Sequence, residues 1–137
     1  MIIIIINIFM QRYSAKREAI LNCLNMTNSH PTAEWIYNQV HKEYPNMSFA
    51  TVYRNLKQMK EEELINSVGF VDNHERFDGC TKRHSHFICE KCHKVIDVED
   101  DLSKTIKNVN SLKQYQINNV SVCFYGLCDE CKKKEND

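Results

Sequence analysis

Glycine and proline are scarce, at three and two in 137 residues. Tight turns draw on both residues, so their scarcity favours helices over a many-stranded β fold. Net charge is absent as well, because 18 lysines and arginines balance 18 aspartates and glutamates. No global field pulls such a chain to nucleic acid or to a membrane surface, so any DNA contact has to come from a local basic patch. A membrane-spanning run is also missing. The opening M-I-I-I-I-I-N-I-F-M is apolar, but far short of the roughly 20 residues that cross a bilayer. It lacks the positive start and small-residue cleavage site of a signal peptide. A charge-free, β-prone run is an aggregation hazard if exposed. Residues 1–10 therefore read as an uncertain extension: translation starts at Met10, or the run packs as a strand, or it forms an unusual helix.

What the chain does have is ordinary apolar content, many charges and many cysteines. At 42% apolar and 26% charged it is globular rather than disordered, and its length suits one domain or two small ones sharing a metal. The seven cysteines are an odd number. Four form two C-x-x-C pairs, Cys89/Cys92 and Cys128/Cys131, leaving Cys23, Cys80 and Cys123 as small apolar residues or free thiols. That pattern fits a reducing compartment, here the cytoplasm, and a zinc site better than a disulfide framework.

The apolar periodicity organises the first half. A helix is expected over residues 14–25, N-capped by Ser14, with Ile20, Leu21 and Leu24 on one face. A second is expected from Pro31 and Thr32 to Pro45, burying Ala33, Ile36, Tyr37 and Val40 and packing Trp35. A third opens at Ser48, with Val52, Leu56 and Met59 as its buried stripe. Tyr53, Arg54, Asn55 and Lys57 are expected to point elsewhere, the arrangement of a helix-turn-helix reader. Leu64, Ile65, Val68, Phe70 and Val71, followed by Asp72-Asn73, read as a two-stranded wing. The expected architecture is α+β: a winged helix-turn-helix domain over 1–80, then a small α/β domain over 81–137. In the latter, strands are expected at 87–89, 95–98 and 115–125, a helix at 101–109, and a frayed charged tail after Cys131. His41 and His74 read as surface residues.

Two metal sites are legible between Arg76 and Cys131. Zn²⁺ takes four soft ligands in a tetrahedron, and each C-x-x-C supplies two, so Cys89, Cys92, Cys128 and Cys131 make a structural zinc site. A disulfide pair, a redox dithiol and, through C-E-K-C-H, covalent haem are the rival readings. His84 and His86 alternate on a strand and share a face, and Asp78 and Asp97 can bracket them. Imidazoles and carboxylates without a thiolate suit Fe²⁺ or Mn²⁺, and also Zn²⁺. The plain alternative is a solvated hairpin bearing surface histidines. For the basic residues it is a solvated helix face.

H-P-T-A-E-W-I-Y at 30–37, P-N-M-S-F-A-T-V-Y-R-N-L at 45–56, R-F-D at 76–78, H-S-H-F-I-C-E-K-C at 84–92, V-I-D at 95–97 and Y-G-L-C-D-E-C at 125–131 form one set of motifs. On these motifs the chain resembles the ferric uptake regulator family of metal-dependent bacterial repressors. It implies a homodimer on a palindromic DNA operator and places a regulatory metal on His30, Asp78, His84, His86 and Asp97. His30 joins that set through the resemblance alone. Asp97 stands where peroxide-sensing members have Asp and iron-sensing members usually have Glu. The resemblance is therefore to the peroxide-responsive branch, in which Fe²⁺ and H₂O₂ oxidise a ligand histidine, here His30 or His84. Lys82-Arg83 and Asn118-Asn119 replace histidines common in iron-sensing members, which disfavours a third metal site. Iron or zinc sensing is the alternative within the family.

On this reading the protein is no enzyme. Tyr53 and Arg54 contact bases, and Lys16, Arg17 and Lys57 contact phosphate. A zinc enzyme and a zinc-held interaction module are the readings from other classes. Zinc deaminases need His-x-Glu and Pro-Cys-x-x-Cys, which this sequence lacks. A pure interaction module needs no basic recognition helix.

Overall fold

The computed structural model describes residues 1–99, 103–111 and 114–135, with 7–14, 103, 105 and 110 described by backbone alone. The chain divides into two units, Met1–Thr81 and Lys82–Asp137.

The first unit comprises α1 (Ile2–Asn25), α2 (Ala33–Val40), α3 (Phe49–Glu61), β1 (Asn66–Val71) and β2 (His74–Asp78). Thr32 caps α2 by accepting from the Trp35 N–H, and Ser48 caps α3 by accepting from the Thr51 N–H. Each cap satisfies one N–H that the first helical turn leaves unpaired. Ala33, Ile36 and Val40 of α2 meet Val52, Leu56 and Met59 of α3, with Ile20, Leu24 and Phe77, in one buried cluster. β1 and β2 pair antiparallel around Asp72 and Asn73, both in the left-handed region (φ 50° and 62°). A two-residue turn with both centres left-handed matches the twist of the strands it joins. Gly69 (φ 104°) marks the irregular register in β1.

Three expectations are corrected here. The N-cap position is Met1 and not Ser14, because α1 begins at Ile2 and runs on through residue 14. The isoleucine run is thus a helix and not a packed strand, with Ile2 to Ile6 between 50% and 74% exposed. Once a helix is nucleated, each further residue adds a hydrogen bond at little cost. Pro45 does not end α2, which stops at Val40 and gives way to a turn closed by Tyr44 N–H to the Val40 carbonyl (2.9 Å). Trp35 is 39% exposed and lines a cavity of about 450 Å³ with Cys23 and Tyr44, outside the core.

The second unit comprises β3 (Ser85–Cys89), β4 (Val95–Val98), α4 (Ser103–Asn110), β5 (Cys123–Gly126) and α5 (Asp129–Glu135). Its sheet has the order β4-β3-β5, with β3 antiparallel to β4 and parallel to β5. The expected strand at 115–125 shrinks to 123–126. The register explains why: His86 lies beside Cys123 and β3 starts at Ser85. Residues before Cys123 run past the end of the strand they would join. The tail is helical rather than frayed, since α5 extends to Glu135. Asp101 and Leu102 of the expected helix lie outside the described residues. No described helix is long and apolar enough to cross a membrane.

Candidate metal centres and nucleic-acid face

The sulfurs of Cys89, Cys92, Cys128 and Cys131 all lie within 4.8 Å of one another. Cys92 Sγ and Cys128 Sγ are 3.7 Å apart. A tetrahedron with metal–sulfur bonds near 2.3 Å has edges of about 3.8 Å, so the spacing fits a bound Zn²⁺. It is far from the roughly 2 Å of a disulfide, and none of the seven cysteines is in a disulfide. The knuckle closes at His93, left-handed at φ 60°, whose N–H donates to the Cys89 carbonyl (2.9 Å). The Cys128 N–H donates to Cys89 Sγ (3.4 Å). Backbone donation at Cys92 and Cys128 pulls the Cys89 thiol down to about 6. Burial, reinforced by hydrogen bonds from the neighbouring sulfurs, pushes Cys131 up to about 12. A divalent cation binds these sulfurs as thiolates, so metal binding here releases protons.

The nitrogen and oxygen ligands occur as two groups, one in each unit. In the first unit His30 Nε2 is 3.5 Å from Asp78 Oδ2, with both side chains under 10% exposed. The R-F-D run builds this pair. The Arg76 guanidinium donates to the carbonyls of His30 and Ser29 (2.8 Å to Ser29). The Phe77 N–H donates to the Pro31 carbonyl (3.0 Å), and its ring is 1% exposed in the core. Asp78 Oδ1 accepts from the Cys80 N–H (2.8 Å), which leaves Oδ2 toward His30. Gly79 lies so close to Asn25 that a Cβ there would collide with its side-chain oxygen. His30 itself is left-handed at φ 51°, a conformation that a non-glycine residue keeps only when its surroundings impose it.

In the second unit His84 Nε2 and His86 Nε2 lie 3.0 and 3.5 Å from the same Asp97 oxygen. The rings sit 4.5 Å apart, edge to face. Antiparallel pairing sets His86 opposite Asp97. His84 Nδ1 meets the Lys82 carbonyl at 2.7 Å, which fixes the tautomer and leaves Nε2 for a ligand. Arg76 is the functional residue whose role the sequence did not disclose. It stands in the R-F-D motif, but its target is a pair of carbonyls 46 and 47 positions earlier.

On α3, Tyr53, Arg54 and Lys57 are exposed while Val52, Asn55, Leu56 and Met59 are buried. The expectation for Asn55 is thereby corrected: it is buried, with its side-chain amide donating to the Thr51 carbonyl. The Tyr53 ring stacks on Phe49 at 6.4 Å. Lys16 is half-buried, and Arg17 is ion-paired with Glu62. His41 is half-buried against Tyr37 rather than on the surface, while His74 is exposed. Cys23 and Cys123 are half-buried and Cys80 is exposed.

A model of the Ferric uptake regulator family matches residues 10–125. The chain is 38% identical over 129 residues to the peroxide operon regulator of Bacillus subtilis (strain 168), covering 91% of this chain and 87% of that one. It is 34% identical over 126 residues to the peroxide-responsive repressor of Staphylococcus epidermidis, covering 91% and 84%. Among solved structures it is similar to the Campylobacter jejuni peroxide stress regulator, with a TM-score of 0.83 and 25% identity over 96% of this chain and 99% of that chain. The Helicobacter pylori ferric uptake regulator has the same fold, with a TM-score of 0.74 and 24% identity over 86% and 80%. This chain therefore belongs to the ferric uptake regulator family of metal-dependent transcription regulators that bind DNA.

Proposed function

We propose that the protein is a metal-gated repressor that senses hydrogen peroxide through iron-catalysed oxidation of a ligand histidine, His30 or His84. The observation that carries this reading is Asp97, whose one oxygen faces the Nε2 atoms of both His84 and His86. An aspartate there is the mark of the peroxide-responsive branch, and the relatives at 38% and 34% identity are peroxide regulators.

His30 and Asp78 offer two ligands and His84, His86 and Asp97 offer three. Neither group alone fills the shell of Fe²⁺ or Mn²⁺, and the family resemblance implies that all five residues serve one regulatory ion. Fe²⁺, when bound, supplies the redox chemistry that Mn²⁺ does not. The protein holds two imidazoles with Nε2 presented and one carboxylate shared between them. Loss of one imidazole to oxidation leaves too few ligands to keep the ion. Zn²⁺ on Cys89, Cys92, Cys128 and Cys131 is structural.

A homodimer presents two α3 helices to successive major grooves of a palindromic operator. The strand register puts Phe87, Ile96 and Phe124 on one sheet face, with Ile96 39% and Phe124 44% exposed. That apolar face supports pairing with a second copy. Tyr53 and Arg54 contact bases, with Lys16, Arg17 and Lys57 on phosphate. Arg17 then has to leave or share Glu62.

The test is peptide mass after peroxide on anaerobic protein loaded with Fe²⁺ or Mn²⁺. The expected result is one added oxygen on His30 or His84 with Fe²⁺ and none with Mn²⁺. Clean histidines with intact metal-dependent DNA binding mean a sensor of metal level instead. Replacing Asp97 by Glu is expected to weaken the peroxide response more than repression, and an unchanged peroxide dose-response counts against the branch.

A further inference from the structure

Cys123 has no place in either metal site. The sheet nevertheless sets it beside one. Antiparallel pairing puts Asp97 opposite His86 on one side, and parallel pairing puts Cys123 beside His86 on the other. Registered residues on neighbouring strands project from the same face, and the strands lie roughly 4.8 Å apart. Asp97, His86 and Cys123 therefore form one row across β4, β3 and β5. His84 stands over that row, its Nε2 3.0 Å from Asp97. Cys123 is a free, half-buried thiol.

We propose that Cys123 is a second oxidation target of the regulatory centre: peroxide handled at His84, His86 and Asp97 oxidises this thiol to a sulfenic acid alongside the histidine. The inference rests on the peroxide-sensing reading above. In the net step the peroxide O–O bond breaks and an S–O bond forms. Sulfur loses two electrons, one peroxide oxygen stays on sulfur, and the other leaves as water with the thiol proton. A thiol accepts oxygen more readily than an imidazole, and thiol reductants restore it, whereas oxygenated histidine stays oxygenated. Gly126 is registered beside Cys89, so the Cys₄ sulfurs lie three residues further along the sheet, about 10 Å away. That distance leaves the sulfenic acid without a resolving thiol inside its own sheet. The site then has two responses, a reversible one on sulfur and a lasting one on imidazole.

The experiment uses full-length protein keeping its zinc, loaded anaerobically with Fe²⁺ or Mn²⁺ and treated with sub-stoichiometric H₂O₂ in the presence of dimedone. Wild type, Cys123→Ser and Cys123→Ala are compared by peptide mass, after checking that all three bind Mn²⁺ equally. The expected result is a dimedone adduct on Cys123 with Fe²⁺ but not Mn²⁺, while Cys23 and Cys80 stay unlabelled. Histidine oxygenation is expected to rise about twofold in both variants, because the competing oxygen acceptor is gone. Histidine oxygenation that is equal in all three proteins, with no adduct on Cys123, overturns this inference and leaves the peroxide reading standing. Equal labelling of Cys23, Cys80 and Cys123 whatever the metal also overturns it. An Fe²⁺-dependent adduct on Cys123 with clean histidines in every protein supports the thiol target and sinks the histidine reading.

Discussion

In the first unit, buried side chains from Ile20 in α1 to Phe77 in β2 interlock in one apolar cluster. In the second, Cys89, Cys128 and Cys131 form a buried cluster, with Phe87 and Leu127 packed against it, and Ile88 and Val95 are buried as well. Aliphatic and aromatic groups gain by leaving water whatever else is present. Thiols crowded within 4.8 Å gain little until something joins them. Their surroundings push two of these thiols in opposite directions: backbone hydrogen bonds hold Cys89 down at about 6, and burial pushes Cys131 up to about 12. The first unit is held by packing. On the proposed reading the second adds coordination to its packing, as small scaffolds short of apolar surface do.

The largest expected effect separates the two. Chelating zinc removes an interaction of roughly 10 kcal/mol or more at neutral pH. Hydrogen exchange should then rise throughout Lys82 to Glu135, while amides of α2, α3 and β2 keep their protection. Equal loss of protection in both units would break the comparison. Acid does the same by protonating the ligands. The folded Cys89 value is lowered, so its thiolate contributes stability that is fully present above its unfolded value of 9.0 and is lost as pH falls through about 6. In the metal-free protein, exchange in the second unit, corrected for its intrinsic pH dependence, should therefore rise as pH falls from about 9 to about 6.

Phe77→Ala is the converse experiment. The ring is 1% exposed, and truncating such a residue costs about 3–5 kcal/mol. Thermal unfolding of the first unit should drop accordingly while zinc content stays unchanged. A zinc loss in this variant would show that the units are not held by separate means.

Arg76→Ala should act more on the metal than on the fold. It removes the guanidinium bonds to the His30 and Ser29 carbonyls, worth about 2 kcal/mol. Without them the left-handed backbone of His30 (φ 51°) loses two of its restraints. Mn²⁺ affinity is expected to fall roughly tenfold or more, the usual cost of removing a group that orients a ligand. Titration calorimetry gives both affinity and site number. Unchanged affinity would mean that the Asp78 contact alone positions His30.

The sequence disclosed most where one local rule dominated. Thr32 and Ser48 cap their helices because an N-cap needs only a short oxygen side chain at the right position. Val52, Leu56 and Met59 fell on the buried stripe, and the Cys₄ set followed from spacing. The misses are places where a distant partner decides. Alternation across 115–125 reads as a strand, yet only 123–126 finds a neighbour because β3 begins at Ser85. Arg76 reads as one more basic residue until its carbonyl partners, 46 and 47 positions away, are known. The isoleucine run violates amphipathic patterning, so no period could assign it, and helix propagation settled it. His30 entered through the family resemblance alone, because spacing carries no sign that it meets Asp78.

The smallest expected effect concerns the scarcity of glycine. α3 ends with the Leu64 N–H on the Met59 carbonyl (2.9 Å) and the Glu63 N–H on the Lys60 carbonyl (3.1 Å). That pairing is a Schellman ending, whose left-handed residue is usually glycine. Here it is Glu63, at φ 59°. His93, at φ 60° in the cysteine knuckle, does the same work in the second unit. A left-handed L-residue costs about 1–2 kcal/mol, and glycine returns part of that to unfolded-state entropy. Glu63→Gly should therefore stabilise the first unit by up to about 1 kcal/mol, a rise in melting temperature of a few degrees. His93→Gly should leave that melting temperature where it is. Its effect belongs in zinc retention, read as a slower release to a chelator, because the knuckle it relaxes holds metal rather than a packed core. If His93→Gly instead raised the melting temperature of the first unit, the division between packing and coordination would fail at its most sensitive test.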